Sequence, residues 1–238
     1  MSAFNDAGDS RRCDPTNTFS VDHGTLCAGL VGALLDGQTV NGAAPDCTLM
    51  LVAVESISAQ VALEKAIELC TSGIDGNPGA PIISCSIGPT ARSWELTDAL
   101  RRTLDAVQSA GRPLIVWADF DVHDPILSNS VEASDGVLCV GQNDSSNQPG
   151  DCGFGPQLDL LAPGVNVTGI KGTAVGASAA APIVAGVAAL MFAKNPGLSG
   201  AQLANVITET CDRPTHPNAR TDDEGWGRVN AARAVDKA

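Results

Sequence analysis

The sequence predicts an α/β domain: a mostly parallel sheet, covered by helices on both faces, in three layers. Apolar runs bounded by turn residues alternate with helical patterns, the mark of βαβ units. Of the 238 residues 44% are apolar, enough for a sizeable core. Only 3% are aromatic, so that core is built from Ala, Val, Leu and Ile, whose small side chains let helices pack closely on a sheet. A chain of this length fits one domain spanning 1–238 better than two small ones.

The elements follow in order. Residues 48–54 (TLMLVAV) read as a strand, and 59–73 as an amphipathic helix closed by Gly73. A strand over 81–87 (PIISCSI) is followed by a helix over 94–110, ended by Gly111. Buried strands are expected at 113–118 (PLIVWA) and 136–141 (GVLCVG), and 142–157 is a loop rich in Asn, Asp, Gly and Pro. An Ala-rich helix occupies 176–195, with further helices near 199–210 and 228–237.

Composition excludes several functions. A net charge of −13 argues against nucleic acid as a partner, because phosphate binding rests on Lys and Arg. No run of about 20 apolar residues is present, so no membrane partner is expected, and a monomer is anticipated. The opening Met-Ser-Ala-Phe-Asn-Asp shows no signal peptide, which suits a cytoplasmic chain or a domain excised from a longer or secreted one. Among eight cysteines, Cys27, Cys85 and Cys139 fall in apolar runs and read as small core residues. Cys13, Cys47, Cys70, Cys152 and Cys211 lie in loops or at element ends, where a bridge or two is open. No CxxC spacing and no acidic cage stands out, so neither a metal nor a cofactor is expected.

Two segments carry chemistry. In the first, Asp22-His23-Gly24-Thr25-Leu26-Cys27-Ala28-Gly29, a helix is expected to begin at the histidine, with small residues one turn on to pack beneath a sheet. In the second, Gly176-Ala177-Ser178 opens an apolar helix containing Pro182 and Gly186. A serine there suits an N-cap, and equally a nucleophile, because free helix N–H groups stabilise developing negative charge. Pro182 is expected in the first turn, where its missing N–H is harmless.

Together the segments resemble the subtilisin family, the subtilases. His23-Gly-Thr-x-x-Ala28-Gly29 is similar to the family's histidine motif, and Gly176-x-Ser178-x-Ala-x-Pro182-x-Val-Ala-Gly186 to its serine motif. Ala44-Pro45, Ile83 to Gly88, Leu161 to Gly164 and Gly225 to Ala231 resemble further family segments, in the right order. The resemblance implies a three-layer subtilisin-like fold. It also implies a serine endopeptidase acting on peptides or proteins, with Ser178 as nucleophile and His23 as general base.

It further implies roles for other positions. The aspartate that orients the histidine would be Asp6, with Asp9, Asp14 and Asp22 as alternatives; either the first strand is trimmed or it lies outside the chain. Asp121 falls where the oxyanion-hole asparagine is expected, and only a protonated carboxyl can donate there. Ser86, Ile87 and Gly88 match the substrate-binding strand. Phe120 replaces a glycine lining the pocket for the residue before the scissile bond, where it would shrink or close that pocket. Ala177 replaces the usual Thr. These departures leave two alternatives: a weak or inactive pseudoprotease acting as a binding or regulatory domain, and a transpeptidase or macrocyclase of the same fold.

Overall fold

The computed structural model describes residues 2–4, 10–12, 18–35, 40–54, 60–73, 76, 78–88, 92–93, 95–170, 172–213, 216–217 and 219–238. The chain opens with β1 (Ser2–Phe4), β2 (Ser10–Arg12) and helix α1 (Thr18–Gly32), then β3 (Val52–Val54) and α2 (Gln60–Ser72). Next come β4 (Ile82–Cys85), α3 (Asp98–Ser109), β5 (Leu114–Ala118), β6 (Val137–Asn143) and β7 (Leu160–Pro163). A hairpin of β8 (Val167–Gly169) and β9 (Gly172–Ala174) precedes α4 (Ala177–Lys194), α5 (Gly200–Thr210) and α6 (Ala231–Lys237).

The centre is a parallel sheet in the order β4-β5-β6-β7. A second sheet, β2-β1-β3, joins an antiparallel pair to a parallel one. Alternation along β5 sorts the core into two layers. Leu114, Val116 and Ala118 face a cluster with Ala180, Val184 and Ala188 of α4 and Leu203 and Ile207 of α5. Ile115 and Trp117 face Leu63 and Ile67 of α2 and Leu100, Leu104 and Val107 of α3. Helices therefore cover both faces, as the composition required.

Local signals set several boundaries. The Thr97 hydroxyl accepts from the Leu100 N–H and starts α3 at Asp98, four residues past the expected onset near 94. Ser199 and Gln202 form a reciprocal capping box at α5. Asn230 caps α6, so the last helix begins at Ala231 rather than 228.

Other expectations are corrected. Helix α1 begins at Thr18, not at His23, because Thr18 to Asp22 contain no Gly or Pro to stop it; His23 thus lies in the second turn. The segment around Leu161 to Gly164, for which no strand was expected, contains β7, whose Leu160, Leu161 and Ala162 are fully buried beside β6. Cys152 and Cys211 lie in a loop and at the end of α5 as expected, yet both are buried; all seven described cysteines are free, and Cys13 lies outside the described residues.

Candidate active site

Helix α4 carries Ser178 as its second residue, and the way it starts is unusual. Its N-cap, Gly176, has no side chain to satisfy the first free N–H groups. A carboxylate from elsewhere does so: Asp121, just beyond β5, accepts from the Ala177 N–H at 2.8 Å. Gly176 has φ 110°, and a Cβ on it would lie 2.8 Å from both Asp121 oxygens. Only glycine meets both conditions. The Gly176 N–H donates in turn to the Gly164 carbonyl and to Gln142, fastening the helix start to the end of β7.

Pro182 shapes the same turn. It is the sixth residue of α4, beyond the first turn in which it was expected, so its missing N–H has a consequence. The carbonyl left without a helix partner is that of residue i−4, Ser178. Two side chains replace the missing donor. Ser86 Oγ donates to the Ser178 carbonyl at 3.0 Å, and the Cys27 thiol donates to it at 3.4 Å. The proline thereby turns the backbone of Ser178 into a common anchor for the segment after β4 and for helix α1.

Cys27 lies one turn after His23 on α1, and its sulfur is 3.9 Å from His23 Nε2. His23 and Ser178 are therefore one thiol apart. Among the described residues no hydrogen bond closes between the His23 ring and the Ser178 hydroxyl. His23 is exposed, whereas Ser178 is half-buried. Burial raises the Cys27 thiol above its usual range, so it stays neutral between the two.

Asp121 is half-buried, and that burial raises its carboxyl, against the Ala177 N–H and the nearby His23 charge. Of these influences burial prevails. Phe120 is 3% exposed and packs with Ile126, Cys139, Cys152, Leu158 and Leu161, so its ring fills the space beneath the strand end. Ser86, Ile87 and Gly88 continue past β4, which pairs only with β5 among the described residues. Asp6, Asp9 and Asp14 lie outside the described residues, and Asp22 is described only as part of α1. No group of three or more His, Cys, Asp and Glu side chains placed to hold a metal ion occurs among the described residues.

A serine at a helix start, a histidine on a facing helix and a parallel sheet beneath α4 form the arrangement that the serine and histidine motifs imply. The comparisons sharpen this. The subtilase family profile matches residues 2–227, and the chain belongs to that family. Subtilisin DY of Bacillus licheniformis is 31% identical over 210 residues, covering 82% of this chain and 72% of that protein. Serine protease AprX of Bacillus subtilis is 30% identical over 258 residues, covering 90% of this chain and 57% of AprX. The chain thus spans little more than half of some relatives. Among solved structures, the prenylagaramide maturation protease PagA superposes with a TM-score of 0.75 at 25% identity, covering 90% of this chain and 82% of that one. A mutant of the protease domain of PatA shares the fold, with a TM-score of 0.78 at 23% identity over 94% of this chain and 82% of that one.

Proposed function

We propose that the chain is a serine endopeptidase in which Ser178 attacks a peptide carbonyl and His23 takes its proton. The observation that carries this reading is the convergence on Cys27: its sulfur touches both the His23 ring and the Ser178 carbonyl, which holds nucleophile and base on facing helices. A movement of the exposed His23 ring would close the hydrogen bond to Ser178, as such contacts tighten when substrate binds. His23 then returns the proton to the leaving amine, and water releases the acyl group by the same route. The resemblance to subtilisin DY and AprX supports peptides or proteins as substrates.

Asp121 acts at the oxyanion. One oxygen, Oδ1, is held by the Ala177 N–H, which leaves Oδ2 to carry a proton toward the developing charge. Burial supports the protonated form. His23 must be neutral at the same time, and its reference pKa is about 6.5, so hydrolysis belongs to a mildly acidic window. Asp121→Asn supplies a permanent donor. It should raise the rate at pH 7–8 by up to about a hundredfold, the worth of one oxyanion donor.

A fluorophosphonate probe tests the core of this reading, because only an activated serine reacts with it. The parent should be labelled at Ser178, with labelling lost in Ser178→Ala and strongly slowed in His23→Ala. A folded parent that resists the probe between pH 5 and 8 supports the pseudoprotease alternative instead. The lack of a closed His23–Ser178 hydrogen bond is the observation favouring that alternative.

A further inference from the structure

Gln142, next to last in β6, belongs to none of the segments that carry chemistry, yet its side chain ends at the start of α4. It is 3% exposed. Its Oε1 accepts from the Gly176 N–H at 3.1 Å, and its Nε2 donates to the Asp151 carbonyl at 2.6 Å. Only one orientation of the amide satisfies both partners, because an N–H needs an acceptor and a carbonyl a donor. The side chain has no room to leave. A Cβ on Gly164 would lie 2.5 Å from Gln142 Cβ, and one on Gly150 would lie 2.9 Å from Gln142 Cγ. Two positions without side chains thus form the slot in which the glutamine lies.

What it grips matters because of Gly176, which has φ 110° and lies two residues before Ser178. Glycine has the widest choice of backbone conformations, so its conformation must be set by contacts on the peptides to either side. Asp121 clamps the peptide after it through the Ala177 N–H. The peptide before it is clamped through the Gly176 N–H, shared between the Gly164 carbonyl at 2.8 Å and Gln142. Gly164 follows β7, whereas Gln142 ties the same N–H to β6 and, through Asp151, to the loop beyond it. Two neighbouring strands of the central sheet thus each supply one side chain to the helix start, Asp121 from just beyond β5 and Gln142 from β6.

We infer that Gln142 is a positioning residue for Ser178, acting through Gly176 to hold the serine in the orientation from which it attacks. The inference rests on the peptidase reading. An amide does this at any pH, because it offers one acceptor and one donor without titrating. An ionised carboxylate in its place would still accept from Gly176 but would present a second acceptor to the Asp151 carbonyl.

Gln142→Met keeps the length of the side chain and removes both hydrogen bonds. For a peptide substrate, kcat should fall about fivefold, the worth of one hydrogen bond, with KM within about twofold of the parent. Gln142→Glu reproduces both bonds when protonated and loses one when ionised. The titratable groups around that site are the Cys152 thiol, which burial pushes up to about 12, and the Asp119, Asp121 and Asp151 carboxyls, none of them a cation. Relative to the parent at the same pH, kcat of Gln142→Glu should lie within about twofold at pH 5 and about fivefold or more lower at pH 8. A Gln142→Met kcat equal to the parent's overturns the inference, as does a change confined to KM. If that variant does not fold, Gln142→Glu decides, and equal ratios at the two pH values overturn the inference. Amide exchange gives a readout free of catalysis: in Gln142→Met the Gly176 N–H should exchange about fivefold faster, with Ala185 in the middle of α4 unchanged. Should the parent neither cleave peptides nor react with a fluorophosphonate, the peptidase reading fails, and exchange alone decides whether Gln142 sets the start of α4. An unchanged Gly176 rate then denies it.

Discussion

Helix α4 reaches the site from inside the molecule, and α1 reaches it from the edge. Eleven of the α4 residues are buried, against the central sheet on one side and the segment around Ala43 on the other. On α1, His23 and Gly24 are exposed, and full burial begins only at Gly29 and Leu30. Ser178 is thus set on a helix buried in the core, while His23 sits on an exposed stretch of α1. What joins the two helices here is the Cys27 thiol, which donates to the Ser178 carbonyl that Pro182 leaves without a helix partner. Precision at such a site comes from one rigid wall, against which the other parts are fastened.

That contrast can be broken from the rigid side first. Gly176→Ala forces a Cβ onto the Asp121 carboxyl at a φ that L residues avoid. Fluorophosphonate labelling of Ser178 should slow by about a hundredfold or more, because both the helix start and Asp121 are displaced. A rate within threefold of the parent would show that the Asp121 contact to Ala177 is dispensable.

Next comes the seat of α4. A Cβ on Gly186 would lie 2.5 Å from Ala43 Cβ and 3.4 Å from the Ala43 Cα and the Ala44 nitrogen. That stretch is itself hydrogen-bonded to the end of α1 and cannot give easily. Gly186→Val should cost about 1–3 kcal/mol in urea unfolding, an overpacking penalty. The matching change on α1, Gly29→Ala, meets only the Ile170 side chain, which can turn away, and should cost under about 1 kcal/mol. Equal costs would erase the distinction between the two helices.

A smaller effect separates a buried acid, Asp119, from the packing around it. The Asp119 pKa is raised in the fold from 3.8 to about 8. The folded chain therefore holds a proton that the unfolded chain releases, and stability falls as pH rises from about 4 to about 8. The groups facing Asp119 are Glu132, Asp121 and the Cys139 and Cys152 thiols, none of which supplies a cation. Asp119→Asn removes the titration. Thermal scans should show the variant gaining several degrees on the parent at pH 8 and little at pH 4. A gain independent of pH would mean that Asp119 is already neutral throughout.

Much of this was legible in the residues. Ser178 and His23 stand out through local motifs of small residues around them, although His23 lies in the second turn of α1 and not at its start. Asp121 was singled out by its place after the apolar strand, but its contact with the Ala177 N–H was not legible there. Asp119 was overlooked, although a charged residue at the end of a buried run was the available signal. Pro182 was misjudged, because the effect of its missing N–H depends on which donors replace it, and Ser86 lies 92 residues from Ser178. The short strands β1, β8 and β9, three residues each, carry too little pattern to read without their partners.

By itself the sequence determined the alternation of strands and helices, the caps at Thr97, Ser199 and Asn230, and which residues could do chemistry. These follow from periodicity and from hydrogen bonds reaching only three or four residues along the chain. The tertiary structure alone decided that Asp121 would cap α4, that Ser86 and Cys27 would share one carbonyl, and that Asp119 would be buried against Gly153. Each of those outcomes joins groups far apart in sequence, and only the packing of α1 and α4 against each other and of α4 on the sheet brings them within bonding distance.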